Sequence, residues 1–91
     1  SLMEIPAQFK SFTDSDGRIS RLPVKLSKKV ALAHWLLELL EPGRVYSEKE
    51  ITATFIEYVD DFALMRRLLV EEGKLLRNAS GSEYQRANQD S

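Results

Sequence analysis

Between Val30 and Leu40 the apolar residues are not confined to one side. With successive residues about 100° apart, Val30, Leu32, Trp35, Leu36, Leu37, Leu39 and Leu40 cover most of the circumference. A helix patterned this way is buried on several sides. It is central to a fold or lends one face to a partner. Ser27 is placed to cap it, and Pro42-Gly43 to stop it at Leu40. His34 and Glu38 interrupt the stretch, which falls short of the roughly 18 apolar residues that cross a bilayer. At 91 residues the chain builds one core around this helix, since cores rarely divide below roughly 200 residues.

The other elements are read around it. From Pro6 to Phe12 there is room for a short helix carrying Phe9 and Phe12. Asp14-Ser15-Asp16-Gly17 is turn chemistry, because Asp bonds to nearby backbone and Gly adopts positive φ. Arg18-Ile19-Ser20-Arg21-Leu22 alternates polar and apolar as a short strand does, and Pro23 ends it. Ser47-Glu48-Lys49-Glu50 is a capping box: the Ser47 hydroxyl accepts from the Glu50 amide, and the Glu50 carboxylate accepts from the Ser47 amide. A short extended piece, Arg44 to Tyr46, leads into it; Tyr46 and Ile51 flank it at staple positions, and Ile51, Phe55, Tyr58 and Val59 continue at helical spacing. A break at Val59-Asp60 leads into a helix from Asp60 to Glu72, ended by Gly73. Lys74–Arg77 and Glu83–Arg86 form a hairpin around Asn78-Ala79-Ser80-Gly81-Ser82. The expected fold is α+β and mainly helical: a winged helix-turn-helix with a three-helix core, a C-terminal β-hairpin wing and a short N-terminal strand. The alternative is another small α+β bundle with the same order of elements. The expected domain spans 3–91, with 3–15 as an N-terminal extension and 87–91 as a frayed tail. Ser1-Leu2 ahead of Met3 looks like an expression scar.

Four blocks carry a resemblance. Asp16-Gly17-Arg18, Leu22-Pro23-Val24-Lys25, Glu41-Pro42-Gly43-Arg44-Val45-Tyr46-Ser47-Glu48 and Arg66-Arg67-Leu68-Leu69-Val70-Glu71-Glu72-Gly73 resemble the bacterial domain-of-unknown-function 2087 family, over roughly Asp16 to Arg86. That family occurs alone or fused to transcription regulators, ArsR-type winged helices among them, so the resemblance implies a regulatory setting. It implies no activity, ligand or catalytic residue. Leu64 and Leu68 depart from the family pattern, which has polar residues there.

Charge tests the DNA-binding expectation. The chain carries 13 basic and 14 acidic side chains, which excludes a polycation that coats nucleic acid. Gly17–Leu37 holds five basic residues and no acid, Glu38–Glu72 nine acids and four bases, and Gly73–Ser91 three bases and two acids. On the helix after Asp60, the core side takes Phe62, Met65 and Leu69. The opposite side shows Asp60, Ala63, Leu64, Arg67 and Glu71, one cation against two carboxylates. Arg66 lies at the edge of the core stripe, and Arg67 and Glu71 are spaced to pair. Acids at that helix start oppose phosphate. Candidate nucleic-acid contacts are Arg67, with Lys74, Arg77 and Arg86 of the wing, and the basic patch Arg18, Arg21, Lys25, Lys28 and Lys29. Candidate partner contacts are Leu64 and Leu68, as contiguous leucines on a helix surface mark interfaces. The partners in view are duplex DNA, a second copy of the chain, or another regulator protein; no membrane or small-molecule ligand is indicated.

Enzyme chemistry has little to work with. His34 and Glu38 stand one turn apart, as a base and its carboxylate would, but no Ser or Cys nucleophile lies at motif spacing. A single histidine and no cysteine leave no zinc set. Reading 14–17 as a calcium loop would put Phe12 and Pro23 at its first and twelfth positions. The expectation is a cytoplasmic, non-enzymatic, nucleic-acid-associated regulatory domain without metal or cofactor; the alternative is a protein-interaction or dimerisation module that does not bind DNA.

Overall fold

The computed structural model describes residues 3–88. Ser1-Leu2 and the last three residues of the 87–91 tail lie outside the described residues. A 3₁₀ helix, Ala7–Phe12, is followed by α1 (Leu26–Leu37), β1 (Tyr46–Ser47), α2 (Glu48–Phe55), α3 (Phe62–Glu71), β2 (Leu75–Arg77) and β3 (Glu83–Arg86). The three strands form one antiparallel sheet in the order β1-β3-β2, with Tyr46 opposite Tyr84 and Leu75 opposite Arg86. The fold is α+β, with the helices on one side of a small sheet's inner residues.

The helix that is apolar on most sides is the centre of the molecule. Leu32, Ala33, Leu36 and Leu37 of α1 are buried, and Leu40 just beyond it is too. They meet Ile51 and Phe55 from α2, Met65 and Leu69 from α3, and Leu75 and Tyr84 from the sheet. Trp35 is half-buried and meets Tyr58 edge-on, with ring centroids 5.0 Å apart. The segment ahead of α1 joins the same core through Ile5, Phe9 and Ile19.

The capping box forms as its residues dictate. Ser47 Oγ accepts from the Glu50 amide at 3.1 Å, and Glu50 Oε1 accepts from the Ser47 amide at 2.9 Å. That bond, helped by Arg44 nearby, holds the Glu50 carboxyl below its usual range. Arg44 lies 3.2 Å from Glu41 and 3.4 Å from Glu50, over the Tyr46 ring. Its hydrogen bond to Glu41 raises its pKa above the ordinary value.

Several boundaries differ from expectation, each for a local reason. No strand forms over 18–22. Ile19 alone pairs there, antiparallel to Thr13 and parallel to Val59. Its amide donates to the Tyr58 carbonyl at 2.7 Å and its carbonyl accepts from Asp60 at 3.0 Å. Pro23 has no N–H with which to extend a ladder. The third strand comes instead from the end of the expected extended piece, Tyr46–Ser47, running into the box. The first helix begins at Leu26, with Lys25 at the cap position and no side-chain cap bond, so Ser27 is not the cap. It ends at Leu37 because the next amides bond three residues back, Leu39 to Leu36 and Leu40 to Leu37. The second helix stops at Phe55, leaving Tyr58 and Val59 in the turn, both buried. The third starts two residues later than expected, capped by the Asp61 carboxylate on the Leu64 amide at 3.2 Å.

Candidate interaction surfaces

The end of α3 places the hairpin. Gly73, at φ +71°, donates to Val70 at 3.0 Å while Lys74 donates to Leu69 at 2.9 Å. This pair of bonds closes a helix and turns the chain sharply. β2 therefore runs back beside α3, leaving a groove between α3, the start of α2 and the hairpin. Its volume is about 410 Å³, and its lining includes Arg66, Arg67, Arg77, Tyr84, Glu48 and Glu71.

Most of its charge is already engaged. Arg66 pairs with Glu48 at 3.1 Å, donates to Thr52 Oγ1 at 3.2 Å and has its Cζ 5.8 Å from the centre of the Tyr84 ring. Its stem packs as expected at the edge of the core stripe, and its side chain is 17% exposed. Arg77 folds over its own loop, donating to the carbonyls of Asn78 at 3.2 Å and Ala79 at 3.3 Å. Arg67 is exposed, and among the described residues it makes no ion pair, so the expected Arg67–Glu71 pairing is not seen. Lys74 is exposed at the foot of the hairpin.

Arg86 is turned the other way. It is 8% exposed, donates to the Leu40 carbonyl at 2.8 Å and approaches Glu38 at 3.4 Å. Its place among phosphate-binding candidates is corrected accordingly. Strand periodicity carried the signal: Arg86 lies two residues from the buried Tyr84, hence on the same inward face. Glu38, engaged there, is not the partner of His34, whose Nε2 lies 3.4 Å from Glu72 without the alignment of a hydrogen bond.

The basic patch divides as well. Arg18 grips the turn after α2, giving two bonds to the Ile56 carbonyl at 2.7 and 3.1 Å and pairing with Asp60 at 2.6 Å. Lys29 donates to the Val24 carbonyl at 2.7 Å. Arg21, Lys25 and Lys28 are exposed, with no ion pair or side-chain hydrogen bond among the described residues. Leu64 and Leu68 are half-buried and packed against the core, not an open leucine face. Their i,i+4 row lies beside the Met65–Leu69 row, close enough for both to reach the interior. The large exposed apolar side chains among the described residues are elsewhere: Val24 at 92%, Leu26 at 64%, and Met3, Val45, Ile56 and Leu76. Nothing in the sequence marks Val24 and Leu26 as exposed, because an apolar residue beside a helix start has the pattern of core.

The match to known families spans most of these elements. Residues 18–86 match the profile of the family described as "Uncharacterized protein conserved in bacteria (DUF2087)". The chain belongs to the DUF2087 family. No curated protein matches it, and no solved structure does. The DUF2087 span begins at Arg18, which clamps the turn after α2, and ends at Arg86, which anchors the last strand under Leu40. Both limits are thus arginines at work inside the fold. No group of metal-binding side chains occurs among the described residues, nor any helix long and apolar enough to cross a membrane.

Proposed function

We propose that this DUF2087 domain is a winged helix of the transcription-regulator type. On this reading it is a non-enzymatic cytoplasmic module that acts through contact with another protein and not by gripping a DNA duplex. The order helix, strand, helix, helix, hairpin, with the first strand pairing the last, supports the winged-helix assignment. The regulatory setting is what the family resemblance implies.

One observation carries the choice of partner class. A winged helix offers duplex DNA its last helix and its wing. Here three of the four arginines of α3 and the hairpin are engaged within the molecule: Arg66 by Glu48, Arg77 by its own loop, Arg86 by Leu40. Arg67 and Lys74 are left, beside exposed Asp60, Asp61 and Glu71. Two phosphate contacts give a log–log salt slope of only about −2 and little affinity. The test is fluorescence anisotropy of a labelled duplex of about 20 base pairs at about 50 mM salt. Absence of retention, or a slope no steeper than this, is the expected result. Tight, steeply salt-dependent binding that weakens in Arg67→Ala or Arg77→Ala would overturn the proposal and favour the nucleic-acid reading. That second reading has one specific support, since Arg67 and Arg77 line the same groove.

A further inference from the structure

The approach to α1 combines features that its own folding does not require. Val24 and Leu26 stand in solvent at 92% and 64% exposure, although each has an apolar side chain that folding could have covered. Around them lie Arg21, Lys25, Lys28 and Lys29, and Gly17–Leu37 contains no acid at all. α1 begins there without a side-chain cap and with no acidic residue in its first turn. Its unbonded amides and the positive end of its dipole therefore add to the cations. Lys28 and Lys29 in a first turn oppose that dipole, and only Lys29 recovers a bond, to the Val24 carbonyl. Beside the segment runs a groove of about 390 Å³, lined by the half-buried Phe12 and Leu22 and by exposed Val24. Its one carboxylate, Asp14, has Oδ1 taken by the amides of Asp16 and Arg18 at 2.9 and 3.1 Å.

We propose that Arg21–Lys29 and this adjoining groove are a docking surface for an acidic segment of a partner protein, one that alternates carboxylates with leucine-like side chains. The inference rests on the protein-contact reading above and names its surface and the chemistry of the partner. Charge complementarity decides the sign of the partner: four cations with no acid among them attract carboxylates and repel another basic surface. The two bare apolar side chains decide its class. A phosphate backbone would neutralise the cations and leave Val24 and Leu26 in water. A peptide carrying apolar side chains between its acids covers both at once and gains the burial. The groove shares no lining residue with the one between α3 and the hairpin, so the two surfaces are separable by experiment.

The experiment uses the full chain, isotopically labelled for amide NMR, and three probes. One is a synthetic peptide of about 12 residues with leucines spaced among Glu and Asp. The second is the same peptide with Ser for every Leu, and the third a DNA duplex of about 20 base pairs. The leucine peptide is expected to shift amides within Arg21–Lys29 and to bind about tenfold tighter than the serine peptide. Val24→Ser with Leu26→Ser should remove that tenfold preference while leaving thermal stability unchanged, because both side chains are already exposed. Lys25→Glu with Lys28→Glu should weaken both peptides. Equal binding of the two peptides, or a duplex that occupies the same residues more tightly than the leucine peptide, would overturn the proposal. So would no shift with any probe. A leucine peptide that shifts residues around Arg67 instead would overturn this surface while leaving the protein-contact reading standing.

Discussion

At the scale of single residues, Arg86 and Glu50 show charge serving structure. Replacing Arg86 with Met fills much of the same space but leaves the buried Leu40 carbonyl without its donor. Such a group costs about 1–3 kcal/mol, so Arg86→Met should lower stability by that order in urea unfolding with no effect on nucleic-acid retention. Ser47→Ala removes the acceptor for the Glu50 amide. It should cost about 1 kcal/mol, a fall of roughly 4–8 °C in Tm for a domain this size. Glu50 adds a pH dependence whose sign is set by its lowered pKa. Its contribution is complete above the unfolded carboxylate value of about 4.3 and is lost as pH falls through the lower folded value. Melting curves between about pH 3 and 6 should show this acid loss, and Glu50→Gln should flatten it while the amide oxygen still accepts from Ser47.

Among the elements, turns set positions as much as helices do. Gly73 closes α3 at positive φ, and Gly73→Ala should cost about 1–2 kcal/mol through left-handed strain. The hairpin loop is organised by Asn78, whose Oδ1 accepts from the amides of Ser82 at 2.9 Å and Glu83 at 3.1 Å. Asn78→Asp keeps those bonds but loses the amide donor to the Ser82 hydroxyl, whereas Asn78→Ala loses all three. Hairpin amide protection should therefore fall more in the alanine variant. The elements were legible where local chemistry acts alone: the capping box, the hairpin and the glycine after α3 stand where their residues put them. They were not legible where pairing depended on a distant partner. Arg18–Leu22 alternates like a strand, but only Ile19 finds backbone to bond, whereas the extended piece expected at Arg44–Tyr46 becomes a two-residue strand at Tyr46 because β3 lies beside it. The candidate cations were legible as charges but not as free charges. Arg18, Arg77 and Arg86 acquire their partners through folding, from Ile56 and Asp60, a loop backbone, and Leu40 beyond α1.

For the whole molecule, the core does not stop at the boundary of the family match. Phe9 is 2% exposed inside it, nine residues ahead of Arg18. Phe9→Ala should cost about 3–5 kcal/mol in urea unfolding, as much as a substitution within α1, and a chain begun at Arg18 should melt at lower temperature than the full one. The link between this leading segment and the rest is narrow. Ile19 takes its bonds from both sides of the turn between α2 and α3, and Arg18 closes over the same turn. The angle between those two helices is consequently fastened from outside the pair. In deuterium, the amide protons of Ile19 and Asp60 should exchange through one shared opening event, so that whatever peels the front of the chain away also lets the bihelical unit swing.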